Sequence, residues 1–194
     1  MYMSYSVSYD GNVFHAPSFR QLYAFVRDMN ATMGLPKSRY DPKIIVDVGA
    51  SIGSTLICWQ TAFPEAEIIG IEPYPENLKY LKMNTNGITV IEKAASNFTG
   101  TLRMSCEHEN TGLAMVSDEG VEVEADTLDN MIERCDILKI DVEGHDLEVI
   151  EGAERLLSTN PYVIIETDDI TRYENMFKHI RPLKKSNYSM WNGR

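Results

Sequence analysis

The chain is 194 residues long with a formal net charge of −11, from 18 Lys and Arg against 29 Asp and Glu. Hydrophobic residues make up 43% and charged residues 24%, a globular mixture that excludes a disordered chain, and the length fits one domain better than two. The acidic balance excludes broad phosphate-backbone binding, which needs a basic face, and no apolar run reaches the ~20 residues that span a bilayer.

Residues 1–42 read as an extension ahead of the core. The first residues carry neither a basic stretch nor a continuous apolar one, so no secretory leader is expected and the cytoplasm is the expected location. Tyr5, Val7 and Tyr9 alternate ahead of Asp10-Gly11 and Val13-Phe14, a hairpin signal. Ser18 is placed to cap a helix running to about Met33, with Phe19, Leu22, Phe25, Val26 and Met29 on one apolar face and Gly34 and Pro36 ending it. The aromatics Tyr2, Tyr5, Tyr9, Phe14, Phe19 and Tyr23 have two readings: a lid over a bound acceptor, or cover for a sheet face or a second copy of the chain.

From residue 43 the rhythm changes to strand and helix in alternation. A β-branched run over 44–48 reads as a strand buried on both faces. A helix over 54–63, a strand over 67–72, a helix opened by Pro73-Tyr74-Pro75-Glu76 and a strand over 89–91 follow. Residues 98–127 interrupt the pattern with short antiparallel strands at 101–105, 115–116 and 121–125 around Gly100, Gly112 and Gly120. The alternation resumes with a strand at 136–141, a helix at 146–157, a strand at 162–166, a helix at about 170–180 and a last strand at 188–191. Five βα steps predict a doubly wound α/β fold: one domain over 1–194, with a Rossmann-like, mostly parallel sheet in 43–194 and a hairpin insert near 98–127. Cys58, Cys106 and Cys135 form no CxxC or Cys/His spacing, so neither zinc nor a disulfide framework is expected.

In open α/β sheets, ligands bind beyond the carboxyl ends of the strands. Standing there are Asp47 with the loop Gly49-Ala50-Ser51-Ile52-Gly53, then Glu72, then Asp141 with Val142-Glu143-Gly144-His145, and Glu166 with Asp168 and Asp169 close behind. A dinucleotide fingerprint needs glycine at 49, 51 and 54, but 51 and 54 are Ser. A P-loop needs four residues between its glycines and a following Lys-Ser/Thr; three residues separate Gly49 from Gly53 and no Lys follows. Carboxylates oppose a pyrophosphate and suit a cationic cofactor such as S-adenosylmethionine, which carries a sulfonium, an ammonium and a ribose diol. Glu72 lies 23 residues beyond Gly49, close to the ~20 expected of a ribose-binding acid. Gly49 and Gly53 are expected to let the backbone approach that cofactor. No spacing demands a metal.

These residues carry a resemblance. Val46-Asp47-Val48-Gly49-Ala50-Ser51-Ile52-Gly53, Ile71-Glu72-Pro73, Thr127-Leu128-Asp129 and Leu138-Lys139-Ile140-Asp141-Val142-Glu143-Gly144-His145-Asp146 resemble the FkbM-type methyltransferases. The resemblance implies a seven-stranded sheet and S-adenosylmethionine-dependent methyl transfer, usually to a hydroxyl oxygen of a sugar, polyketide or similar metabolite. Residue by residue, it implies that Asp47, Gly49, Ala50, Ser51 and Gly53 form the cofactor loop. It implies further that Glu72, followed by Pro73, is the ribose acid, that Ala95-Ser96 flanks the adenine, and that Asp141 faces the methionine part or the acceptor. Ser51 stands where Asn is common and Asp146 where Glu is common, and the chain ends soon after Trp191, leaving little for a final hairpin. His145 is the first candidate for a base, with Asp141 as the alternative; Glu143 either holds the loop or reacts. The expected acceptor is a small molecule or glycan. A cofactor-binding scaffold without turnover and a nicotinamide-dependent oxidoreductase remain as alternatives.

Overall fold

The computed structural model describes residues 5–9, 12–23, 41–106, 111–166 and 173, and the backbone of 181–185 and 188–192. The hairpin of β1 (Tyr5–Tyr9) and β2 (Asn12–Ala16) forms as the alternation predicts, with Tyr5 opposite Ala16 and Tyr9 opposite Asn12. Ser18 caps the next helical turn, its Oγ accepting from Gln21 N at 3.2 Å. That turn is described over 19–23; Phe25, Val26, Met29, Gly34 and Pro36 lie outside the described residues.

The central sheet is the predicted doubly wound one. Its parallel strands are β3 (Ile44–Val48), β4 (Glu67–Ile71), β5 (Thr89–Ile91), β10 (Ile137–Ile140) and β11 (Tyr162–Glu166). Among the described residues the sheet order is β5-β4-β3-β10-β11-β13-β12, where β12 is Arg181–Lys185 and β13 is Tyr188–Asn192. These last two pair antiparallel, and β13 runs antiparallel to β11. The short C terminus therefore does complete a hairpin, against expectation. Arg181-Pro182-Leu183-Lys184-Lys185 reads locally as a basic loop and becomes a strand because β13 offers it a ladder.

Winding runs from β3 outward through β4 to β5 on one side, and from β10 to β11 on the other. The switch in strand order thus falls between β3 and β10, and their carboxyl ends open the crevice. Both strand faces are covered. On one, α1 (Ser54–Ala62) and α2 (Pro75–Asn84) bring Leu56, Trp59, Leu78 and Leu81 onto Ile45, Ile137 and Ile164. On the other, Leu128 of α3 (Leu128–Met131), Val149 and Ile150 of α4 (Asp146–Glu151), and Leu156 of α5 (Glu154–Leu157) meet Val46, Leu138 and Val163.

The helix predicted over 146–157 is two helices. Asp129 of the Thr-Leu-Asp motif causes the break: its carboxylate accepts from Arg155 N and Leu156 N at 2.8 Å each, capping α5. Arg155 returns its guanidinium to the carbonyls of Asp129, Ile132 and Glu133. Between the helices, Gly152 abuts Ser96, whose carbonyl oxygen lies 1.9 Å from where a Cβ would stand. The motif acid is thus structural.

The insert forms a second sheet, β6-β9-β7-β8, from Ala94–Ala95, Val121–Asp126, Gly100–Ser105 and Met115–Val116. Only β6 was not predicted; a two-residue strand exists through its parallel pairing with Ala125 and Asp126. Asp126 locks the insert to the core, accepting from Asn130 Nδ2, Thr99 Oγ1, Lys93 Nζ and its neighbour Thr127 N, and the Asn130 bond leads in holding its carboxyl well below the usual range.

The N-terminal segment packs outside α1 and α2: Phe14, Ala16 and Leu22 cluster with Ile52, Ile57 and Tyr80. Asn84 pins it, donating to the His15 and Ile52 carbonyls at 2.9 Å each and accepting from His15 N at 2.7 Å. Phe19 and Tyr23 are 66% and 67% exposed, so Phe19 does not share the buried face of Leu22. Phe14 covers the outer side of the helices rather than a sheet face, packing with Ile52, Ile57 and Tyr80; the side chains of Tyr2 and Tyr9 lie outside the described residues.

Gly152→Ala keeps an allowed backbone and adds one methyl against the Ser96 carbonyl. We expect it to lower stability by about 2 kcal/mol or more, read as a reduced urea midpoint at unchanged slope; an unshifted midpoint contradicts the packing described.

Candidate functional site

The crevice at the switch point is a cleft open to solvent, lined by the ends of β3, β4 and β10 and by the insert. The loop after β3 forms its floor. Gly49 N and Ala50 N both donate to the Ile71 carbonyl, at 2.9 and 3.1 Å. Gly49 has φ 84, and a Cβ there would lie 1.8 Å from the carbonyl oxygen of Asp141. The glycine is required first by the close meeting of the β3 and β10 ends, and only secondly by any ligand. Gly53, the residue before α1, likewise abuts Thr85 and Leu81 side chains. Both glycines hold left-handed backbone conformations that other residues rarely adopt, with φ 84 and 96. Ser51 takes φ 50; Asn tolerates that left-handed conformation better than Ser, which gives a physical reason for the preference at this position.

Glu72, just past β4, is 4% exposed yet lines the cleft. Its Oε2 accepts from Ser51 N at 2.8 Å, and its Oε1 from Tyr74 N at 2.8 Å and Asn77 Nδ2 at 3.3 Å. Burial pushes its carboxyl up to about 7 despite those three bonds. An ionised carboxylate has roughly four acceptor sites, so one remains for a donor arriving from the cleft.

A second group spans the switch point. Strand register sets Lys139 beside Asp47, and the period of two puts Asp141 on the same face. Lys139 Nζ, 2% exposed, donates to Asp47 Oδ1 at 3.1 Å and Asp141 Oδ2 at 2.9 Å. Burial pushes Asp47 up to about 6 against the pull of Lys139, and among the described residues its Oδ2 has no hydrogen-bond partner. The expected ring of bare acids is therefore partly neutralised. The sequence reading assigned Lys139 no role, although a lysine inside Ile137-Leu138-Lys139-Ile140, where every residue is buried, has to be paired.

Asp141, Glu143 and His145 line the opposite wall. Glu143 adopts φ 49 and Gly144 φ 91, a strained turn that presents the loop to the cleft. His145 Nε2 lies 3.1 Å from Ser96 Oγ, and Nδ1 lies 3.6 Å from Glu148 Oε2. Ala95 and Pro73 also line the cleft, while Asp47, Ala50, Gly53 and Ser96 stand behind its surface. Glu166 ends β11 away from the lining, and Asp168 and Asp169 lie outside the described residues. Among the described residues no three His, Cys, Asp or Glu side chains are placed to share a metal. Thr111, Gly112, Ala114 and Val116 of the insert close the remaining side. Asn77 and Thr111, missed in sequence, prove central: a buried polar face on a helix opened by Pro75 is the one signal that marks Asn77.

Residues 47–190 match the methyltransferase FkbM domain. The hexuronic acid methyltransferase AglP of Haloferax volcanii is 26% identical over 140 residues, covering 63% of this chain and 55% of that protein. The methyltransferase sdnD of Sordaria araneosa is 26% identical over 155 residues, covering 57% and 60%. The chain thus spans little more than half the length of either relative. A solved methyltransferase from Geobacter sulfurreducens aligns with a TM-score of 0.55 at 12% identity over 91% of each chain, which shows a shared fold.

Glu72 and Asp47 both hold protons more tightly when folded than their ordinary values of 4.5 and 3.8. Between about pH 4 and 7 the folded chain keeps protons that the unfolded chain has released, so unfolding free energy falls as pH rises through that window and levels above it. Glu72→Gln should make that slope shallower by up to about 1.4 kcal/mol per pH unit, measured by urea unfolding at several pH values. Wild-type stability that rises across the window contradicts both shifts.

Proposed function

The chain belongs to the FkbM methyltransferase family, whose members use S-adenosylmethionine, and we propose that it is an O-methyltransferase acting on a hydroxyl of a sugar or similar small metabolite. The observation that carries this reading is the Glu72 carboxylate, dry, held from two sides by Ser51, Tyr74 and Asn77, with acceptor capacity facing the cleft. In its ionised form the group only accepts hydrogen bonds, which suits a ribose diol and repels a phosphate. Asp141, which lines the cleft, suits a cationic amino-acid end, with Lys139 and the buried Asp47 behind it setting the net charge. The residues therefore fit the donor. S-adenosylmethionine, when bound, supplies a methyl group already activated by its sulfonium.

What remains for the chain is to position the acceptor, exclude water and take one proton. With the donor bound, an acceptor hydroxyl held against its methyl group would take that methyl from the sulfur, leaving the thioether, and would give up its own proton. We assign that proton to the His145 imidazole, whose Nε2 exchanges its Ser96 Oγ partner, 3.1 Å away, for the acceptor hydroxyl as the proton arrives. Glu148 beside Nδ1 steadies the imidazolium that forms. Asp141, 2.9 Å from Lys139 Nζ, is thereby an orienting group rather than the base. Glu143 shapes the wall. AglP, by its name a methyltransferase of a hexuronic acid, supports a sugar-like acceptor.

Calorimetry with S-adenosylhomocysteine should show binding that weakens about tenfold or more in Glu72→Gln. In a metabolite screen for methyl transfer, His145→Ala should lower kcat about 100-fold or more with product affinity unchanged. Equal affinity in Glu72→Gln removes the basis for the ribose assignment, and an unchanged kcat in His145→Ala removes the base.

A further inference from the structure

Gln21 is buried in the N-terminal segment, far from the cleft lining in sequence, and its side-chain amide meets three other elements. Its Oε1 accepts from Thr111 Oγ1 at 2.8 Å. Its Nε2 lies 3.4 Å from Ser51 Oγ and 3.5 Å from Asn77 Oδ1. The direction of every bond in this group follows from one residue. Asn77 Nδ2 donates to Glu72 Oε1 and to the Thr111 carbonyl, at 3.3 and 3.0 Å. Asn77 Oδ1 must therefore accept, so Gln21 presents its NH₂ there, its carbonyl turns to Thr111, and the Thr111 hydroxyl donates.

Docking of the segment does not need this amide. Phe14, Ala16 and Leu22 already bury it, and Asn84 pins its backbone at both His15 groups. An apolar side chain in place of Gln21 would keep the segment's apolar packing but leave the buried Thr111 hydroxyl and Asn77 Oδ1 without this partner. What the amide adds is a hold on two of the three residues that supply hydrogen bonds to Glu72: it meets the Asn77 side chain directly, and the Oγ of Ser51, whose backbone N makes the bond.

We propose that Gln21 is a positioning residue of the donor site, coupling the N-terminal segment and the insert to the Glu72 carboxylate, so that seating of residues 18–22 and occupation of the cleft are one linked equilibrium. The proposal rests on the donor-site reading above. By reciprocity, a ligand that engages Glu72 steadies the segment to the same degree that the segment favours the ligand. Glu72 is the titrating group in this linkage. The other charged or titratable groups near it are Asp47 on β3 and, across the cleft, Asp141, Glu143 and His145.

The test is calorimetry with S-adenosylhomocysteine from pH 6 to 8, on wild type, Gln21→Glu, Gln21→Met, Thr111→Val and Thr111→Ser, with amide hydrogen exchange at residues 18–22 in wild type and Gln21→Met. Gln21→Glu keeps the shape and the Thr111 bond but turns an acceptor on Asn77 and Ser51. It should weaken binding about tenfold and move the pH midpoint of binding upward. Thr111→Val, at the far end of the same chain of bonds, should weaken binding and Thr111→Ser restore it. Saturating S-adenosylhomocysteine should slow exchange at 18–22 in wild type and lose that effect in Gln21→Met. Variants that bind as wild type does, with the same pH midpoint and only a lower melting temperature, overturn the proposal. A wild type that fails to bind overturns the donor-site reading itself.

Discussion

Taking the Glu72 carboxylate out of water costs free energy that only hydrogen bonds or a nearby cation offset. Among the described residues no cation touches it; three N–H groups do, and each comes from a separately shaped piece of chain. Ser51 N reaches it because the loop after β3 enters the left-handed region at Ser51. Tyr74 N reaches it because the chain turns ahead of Pro75 into α2, and Asn77 because that helix then runs past the strand tip. Even so the carboxyl is held near 7, poised between its two forms. A group in that state gains most from one further hydrogen-bond donor, and the cleft is where such a donor arrives.

The second constraint is the register between β3 and β10. It sets Lys139 beside Asp47, and it brings the β10 end so close that only glycine fits at position 49. One alignment of two strands thus decides both the shape of the floor and the charge on it. An unbroken ring of acids would be a poor site, since like charges in a dry place raise one another's proton affinity until some neutralise. A buried lysine between two of them leaves enough negative charge for a cationic donor at a smaller cost.

Much of this was legible in sequence, and the limits are physical. The parallel strands are legible because a strand covered on both faces carries a near-continuous apolar run, broken in Ile44–Val48 by Asp47 and ended in Tyr162–Glu166 by Glu166. Glu72 and the glycine loop were legible because chemistry and spacing restrict what stands at a strand end. The role of Lys139 is legible only in part: Asp141 stands two residues on, but Asp47 lies 92 residues away and only the register joins them. Gln21 and Thr111, 90 residues apart, were invisible for the same reason. The strands Ala94–Ala95 and Arg181–Lys185 exist through pairing rather than propensity. The break at Gly152 depends on Asp129 capping the next turn, a contact no periodicity reports.

The most direct measurement is a crystal structure grown or soaked with S-adenosylhomocysteine at saturation. The account requires the ribose hydroxyls to lie roughly 2.6–3.2 Å from the Glu72 carboxylate, with the amino-acid end toward Asp141. Density for the nucleoside elsewhere on the molecule, or a cleft that stays empty at saturating ligand, contradicts it.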